Sequence, residues 1–159
     1  MKRLITLLAI PLMLLTMSAC SEKKLPDQSA VKSKSVLAAL RTLAGTYEKK
    51  DLSSFMDNLA PDFREREAYS KSIAAVFSKT ETIHFTIQYT KMVIVVEDKG
   101  MIKVTFNWDG EWLAKAGTTQ KNGGRVTLVF NPGSFKLTSI DGKDPFVPVP
   151  GEMPGSVKP

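Results

Sequence analysis

One change of period governs what this chain can fold into. Between Val36 and Ser78 apolar side chains recur every three or four residues; from Thr82 onward they alternate. The first spacing gathers side chains on one stripe of a helix, the second on one face of a strand. Helices followed by a run of short strands is an α+β order, in which an antiparallel sheet lays its apolar face on helices gathered at one side.

Ser35 is placed to cap a first helix whose stripe is Val36, Leu40, Leu43 and Tyr47, and which ends near Lys49-Lys50. Asp51 caps a short second helix carrying Leu52, Phe55, Met56 and Leu59, and Pro61 stops it. Asp62 is placed to cap a third helix over Glu65 to Ser78, with Ala68, Tyr69, Ile73, Val76 and Phe77 on one side.

Ile83, Phe85, Ile87 and Tyr89 then alternate with Thr82, His84, Thr86 and Gln88, the pattern of a half-buried strand. Met92 to Val96 is apolar on both faces and reads as a central strand. Glu97-Asp98-Lys99-Gly100 is a turn, followed by Ile102, Val104, Phe106 and Trp108 in alternation. Asp109-Gly110 reads as a bulge that lets this strand run through Trp112 to Ala116, and Asn122-Gly123-Gly124 as a turn. Val126, Leu128 and Phe130 belong to the next strand, and Asn131-Pro132-Gly133 turns it into Phe135 to Ile140. The expected sheet has four to six strands. Five prolines after Asp141 predict an extended tail over residues 143–159, with Phe146 and Val147 pinning its start.

The first 19 residues follow a different logic. Lys2 and Arg3 precede a run from Leu4 to Met17 that is apolar except for Thr6, Pro11 and Thr16. A helix needs roughly 20 apolar residues to cross a hydrocarbon core of about 30 Å, so this run is too short to span and reads as a signal-peptide core. Met17-Ser18-Ala19-Cys20 resembles the lipobox of bacterial lipoproteins, with Met17 where Leu is usual. The resemblance implies cleavage before Cys20, a diacylglyceryl group on its sulfur, and membrane attachment of the mature chain in the cell envelope. Ser21 resembles the residue found in members sorted to the outer membrane, which places the domain on its periplasmic side. The polar stretch over residues 20–35, rich in Lys and Ser, reads as a flexible tether.

Charge and side-chain inventory exclude several classes of function. The net charge of +6 includes Lys2 and Arg3 of the leader, and the remaining surplus is too scattered to track phosphates, so no nucleic acid is expected as a partner. Cys20 is the only cysteine and His84 the only histidine, which leaves no intrachain disulfide, thiolate zinc site or multi-histidine metal site. The sequence has no phosphate-cradling glycine loop and no Ser/His/acid set, and no cofactor is expected.

The helical half carries Tyr47-Glu48-Lys49-Lys50-Asp51-Leu52-Ser53-Ser54-Phe55-Met56 and then Leu59-Ala60-Pro61-Asp62-Phe63; the strand half closes on Phe135-Lys136-Leu137 and Ser139-Ile140. These motifs resemble the nuclear transport factor 2-like superfamily, also called cystatin-like or ketosteroid-isomerase-type, over about residues 36–142. The resemblance implies N-terminal helices wrapped by a strongly curved antiparallel sheet into a cone, with any pocket between them.

Strand parity turns His84 away from such a cone, so it is expected at the surface. Tyr47, Tyr69 and Tyr89 could each direct a hydroxyl into it, and Trp108 with Trp112 could form an aromatic lip around Asp109 and Glu111. No inner-face strand position carries a carboxylate, which favours a non-catalytic module binding a protein partner or small apolar ligand. The alternatives are a small isomerase, dehydratase or cyclase acting in the cone, and a homodimeric scaffold joined through Val93, Val95 and Val129 on the outer sheet face.

Overall fold

Alternation from Ile102 to Trp112 builds the centre of the sheet. Ile102, Val104, Phe106, Trp108, Gly110 and Trp112 are all buried, while the residues between them are half-buried or exposed. The computed structural model describes residues 28–97 and 100–148. Its elements are α1 (Gln28–Glu48), α2 (Leu52–Asp57), α3 (Arg66–Lys79), β1 (Thr80–Val96), β2 (Ile102–Ala114), β3 (Thr119–Phe130) and β4 (Leu137–Gly142). The fold is α+β: three helices, then one antiparallel sheet in the order β1-β2-β3-β4. The leader, Cys20 and the end of the tail lie outside the described residues.

The apolar stripe of α1 falls where the spacing puts it, on Val36, Leu40, Leu43 and Tyr47. The helix starts at Gln28, however, so residues 28–35 of the expected tether are helical. No Gly or Pro interrupts that stretch, and each added residue gains a hydrogen bond on a helix already nucleated. Asp51 caps α2 by accepting from the Ser54 N–H at 3.1 Å. For α3 the expected Asp62 cap is replaced by Glu65 in a left-handed conformation (φ 53°), with no side-chain cap bond.

Met92–Val96 is the far end of β1 rather than a separate strand, joined across a register shift between Gln88 and Val93. β1 is an edge, and α1 blocks part of it: the Phe85 N–H donates to Glu48 Oε1 at 2.8 Å. That gives an exposed ladder donor an internal partner. The Lys50 ammonium closes the same corner by donating to the Thr80 and Glu81 carbonyls at 3.0 and 2.7 Å.

Neither glycine signal in the middle of the sheet makes a turn or a bulge. The β2–β3 register runs unbroken from Ile102↔Phe130 to Leu113↔Thr119, and the hairpin turns at Gly117 (φ 83°). A Cβ on Gly110 would lie 2.2 Å from the Trp112 ring, and one on Gly123 would lie 2.8 Å from Asp109 Oδ1. Both glycines make room for a neighbouring side chain. Strand β4 begins at Leu137, because Phe135 takes a left-handed conformation (φ 53°) in the preceding turn.

Candidate functional site

The inner sheet face and the helices enclose the cone, and the far end of α1 delivers Tyr47 into it. Tyr47 follows Val36, Leu40 and Leu43 on the buried stripe, so its ring must enter the core and its hydroxyl needs partners there. It finds two. Tyr47 Oη donates to the Phe146 carbonyl at 2.8 Å and accepts from Trp112 Nε1 at 2.8 Å. Burial pushes the Tyr47 phenol above its ordinary pKa, opposed by the Trp112 bond and reinforced by the charge of Asp144.

Phe146 occupies the centre. It is fully buried, with its ring centroid 5.1 Å from Tyr47, 5.2 Å from Phe55 and 5.5 Å from Phe85. Tilted and edge-on pairs at such distances each contribute about 0.5–1.5 kcal/mol beyond the area they bury. Trp108 lies beyond Phe85 at 5.9 Å and beside Trp112 at 6.3 Å, and its buried Nε1 has no hydrogen-bond partner.

Asp144 is a half-buried carboxylate at this site, and its Oδ1 accepts from Tyr69 Oη at 3.2 Å and from the Phe146 N–H at 2.8 Å. Burial raises the Asp144 carboxyl above its ordinary pKa even though both bonds pull the other way. Burial and the neighbouring Asp144 charge push the Tyr69 phenol up in turn. A carboxyl so placed between phenols is able to hold or release a proton near a bound molecule. Here its Oδ1 is engaged by the Tyr69 phenol and the Phe146 N–H.

The structure therefore brings Tyr47, Tyr69, Trp108 and Trp112 into one neighbourhood. The two tryptophans are core residues, 1% and 2% exposed, rather than a lip. Tyr89 does not join them: it is 47% exposed within the register shift in β1, with Arg41 over its ring at 5.7 Å. His84 is exposed on the opposite face, as parity requires, in an open trough of about 440 Å³ with Asp109, Glu111 and Lys121. On the same outer face Val93 and Val95 are about half exposed, whereas Val129 is buried.

Sequence reasoning passed over Asp144 because it searched strand positions for carboxylates. The available signal was an aromatic beside an acid, between prolines, just after the last strand: Asp144-Pro145-Phe146-Val147-Pro148. An open cleft of about 310 Å³ adjoins this segment, lined by Ala75, Val76, Lys79, Trp112, Val147 and Pro148 among others. Among the described residues there is no group of three or more His, Cys, Asp or Glu able to hold a metal, and no helix long and apolar enough to cross a membrane.

No protein-family model and no curated protein matches the sequence. Solved structures do match its fold. A nuclear transport factor 2-like superfamily protein from Salmonella enterica serovar Typhimurium aligns with TM-score 0.61 at 16% identity, covering 80% of this chain and 99% of that one. A provisionally assigned aromatic ring hydroxylase from Novosphingobium aromaticivorans aligns at 0.63 and 11% identity, covering 70% and 87%. A provisionally assigned dehydratase of the same fold family from Streptomyces avermitilis aligns at 0.57 and 18%, covering 70% and 94%. The fold is nuclear transport factor 2-like, an architecture that carries both enzymes and binding proteins. Fold likeness at such identities says nothing of this chain's activity.

Proposed function

We propose that this chain is a lipid-anchored cell-envelope protein whose domain binds an apolar partner segment or small ligand at the mouth of the cone, without catalysis. The observation that carries the reading is the packing of the cone itself. Tyr47, Phe55 and Phe85 surround the chain's own Phe146, and an open, mostly apolar cleft lies beside it. A filled aromatic box suits recognition better than chemistry, which needs a vacant position next to a free acid or base. The leader motif Met17-Ser18-Ala19-Cys20 supports the anchored, envelope part of the reading.

A second reading, a small envelope enzyme, draws on Asp144: a half-buried carboxyl with a raised pKa, hydrogen-bonded to the Tyr69 phenol. It requires Asp144 to give up the bonds that its Oδ1 accepts from the Tyr69 phenol and the Phe146 N–H.

Titration of the full chain with 1-naphthol, followed by tryptophan emission, tests the binding reading, since Trp112 lines the cleft. Saturable binding that Ala75→Phe abolishes without lowering stability supports it. The absence of saturable binding, or binding indifferent to Ala75→Phe, contradicts it.

A further inference from the structure

We propose that residues 143–148 form a detachable strap that fills, in cis, a docking site for an extended, proline-flanked aromatic segment of a partner protein. The inference rests on the binding reading above and names the partner chemistry of the same site.

Four observations carry it. The sheet ladder stops at Val126↔Gly142, so the strap leaves the sheet before it enters the cone. Pro145 and Pro148 have no N–H to donate, and the strap is held to the helices through the Tyr47 hydroxyl on the Phe146 carbonyl and the Tyr69 hydroxyl on Asp144, among other contacts. The residue at the boundary, Gly142, has φ +98°, and a Cβ there would come within 3.2 Å of the Arg125 carbonyl. This left-handed glycine lets the chain turn away from the sheet where the strap begins. Finally, the seat desolvates a carboxylate, an unfavourable term that vanishes when the strap swings out into water.

The occupant in cis defines the chemistry of an occupant in trans. The site offers an aromatic box for one ring, a phenol donor for the carbonyl of the same residue, and a second phenol for an acid two positions earlier. The cleft beside Val147 and Pro148 continues the path of an extended chain. A partner carrying an acid, a proline and an aromatic in that order could make the same contacts. It would compete only with the strap, so its apparent affinity is its intrinsic affinity reduced by the fraction of open molecules.

Proton exchange followed by NMR on the full chain, with and without a capped synthetic peptide of the sequence of residues 143–148, tests this. The Trp112 indole N–H, which Tyr47 holds beneath the strap, should exchange at least about tenfold faster than the β2 and β3 amides of Val104 and Leu128. Excess peptide should shift the strap's own Phe146 resonances to unfolded positions while the sheet signals stay in place. The same peptide with Phe replaced by Ala should do nothing, and Tyr47→Phe, which removes one bond from strap and peptide alike, should leave the parent peptide's apparent affinity nearly unchanged while speeding exchange of the Trp112 indole. Exchange of the Trp112 indole in step with the sheet, or an Ala peptide as effective as the parent, would overturn the proposal. Either result leaves the naphthol test of the cleft independent.

Discussion

The Tyr47 hydroxyl donates to the carbonyl oxygen of Phe146 at 2.8 Å, joining the end of the first helix to a residue 99 positions later. Because the same oxygen accepts from Trp112, one phenol ties helix, sheet and C-terminal segment together. Removing that oxygen leaves a buried indole N–H and a buried carbonyl without partners. Tyr47→Phe should therefore cost about 1–3 kcal/mol, most of it the desolvation of those two groups. Urea unfolding checks this: the midpoint should fall and the slope remain unchanged.

Asp144 gives a pH dependence of defined sign. Its carboxyl pKa is raised in the folded chain, so folding favours the protonated form. That contribution is fully present below the unfolded value of about 3.9 and is lost as pH rises through the folded value. The titratable groups facing it are Tyr69 from α3 and Tyr47 from α1, both pushed upward and uncharged throughout this window. Unfolding free energies measured from acid to neutral pH should decline more steeply for the native chain than for Asp144→Asn. Parallel curves would show that the carboxyl is solvated.

Two glycines should fail for different reasons. Gly110→Ala drives a methyl into the Trp112 ring, 2.2 Å away, and overpacking of this kind typically costs about 1–3 kcal/mol. Gly117→Ala meets nothing within 4 Å and is opposed only by its φ of +83°, worth about 1–2 kcal/mol. Near-ultraviolet circular dichroism separates them: only the Gly110 variant should change the tryptophan signal.

Much of this architecture was legible because periodicity reports which face is buried. The parity that puts Phe85 inward and His84 outward holds, as do the helix stripe through Tyr47 and the Asp51 cap. Gly110, Gly123 and Gly124 misled, because glycine signals a turn and a close approach in the same letter. Only the unbroken β2–β3 register tells the two apart. Tyr89 was placed inside by the parity that placed Ile87 correctly, and a register shift that no residue announces sends it out. The candidate site was half visible. Its aromatics lie on periodic elements, but Asp144 and Phe146 lie on an aperiodic segment whose burial depends on long-range packing.

The face assignment has its own test. Phe85→Ala and Phe130→Ala each remove a buried ring and should cost about 3–5 kcal/mol, whereas the exposed His84 should tolerate Ala within about 0.5 kcal/mol. Thermal denaturation of the three variants gives the comparison. A large loss for His84→Ala with a silent Phe85→Ala would invert the sheet.

Processing is tested at the other end of the chain. The motif ending in Cys20 predicts a mature protein that begins at an acylated Cys20 and fractionates with membranes, since two acyl chains anchor stably where one binds marginally. Mass spectrometry of the mature N-terminus checks it. Cys20→Ala should release the chain or block maturation, and a soluble native chain starting elsewhere would refute the anchor.

The account turns on the cone being filled by the chain's own Phe146, and nuclear Overhauser contacts in the full chain measure that directly. The account predicts strong cross-peaks from the Phe146 ring to the rings of Tyr47, Phe55 and Phe85, whose centroids lie 5.1–5.5 Å away. Random-coil shifts for Phe146, with no cross-peak to Tyr47, would contradict it and leave an open cone with Asp144 outside.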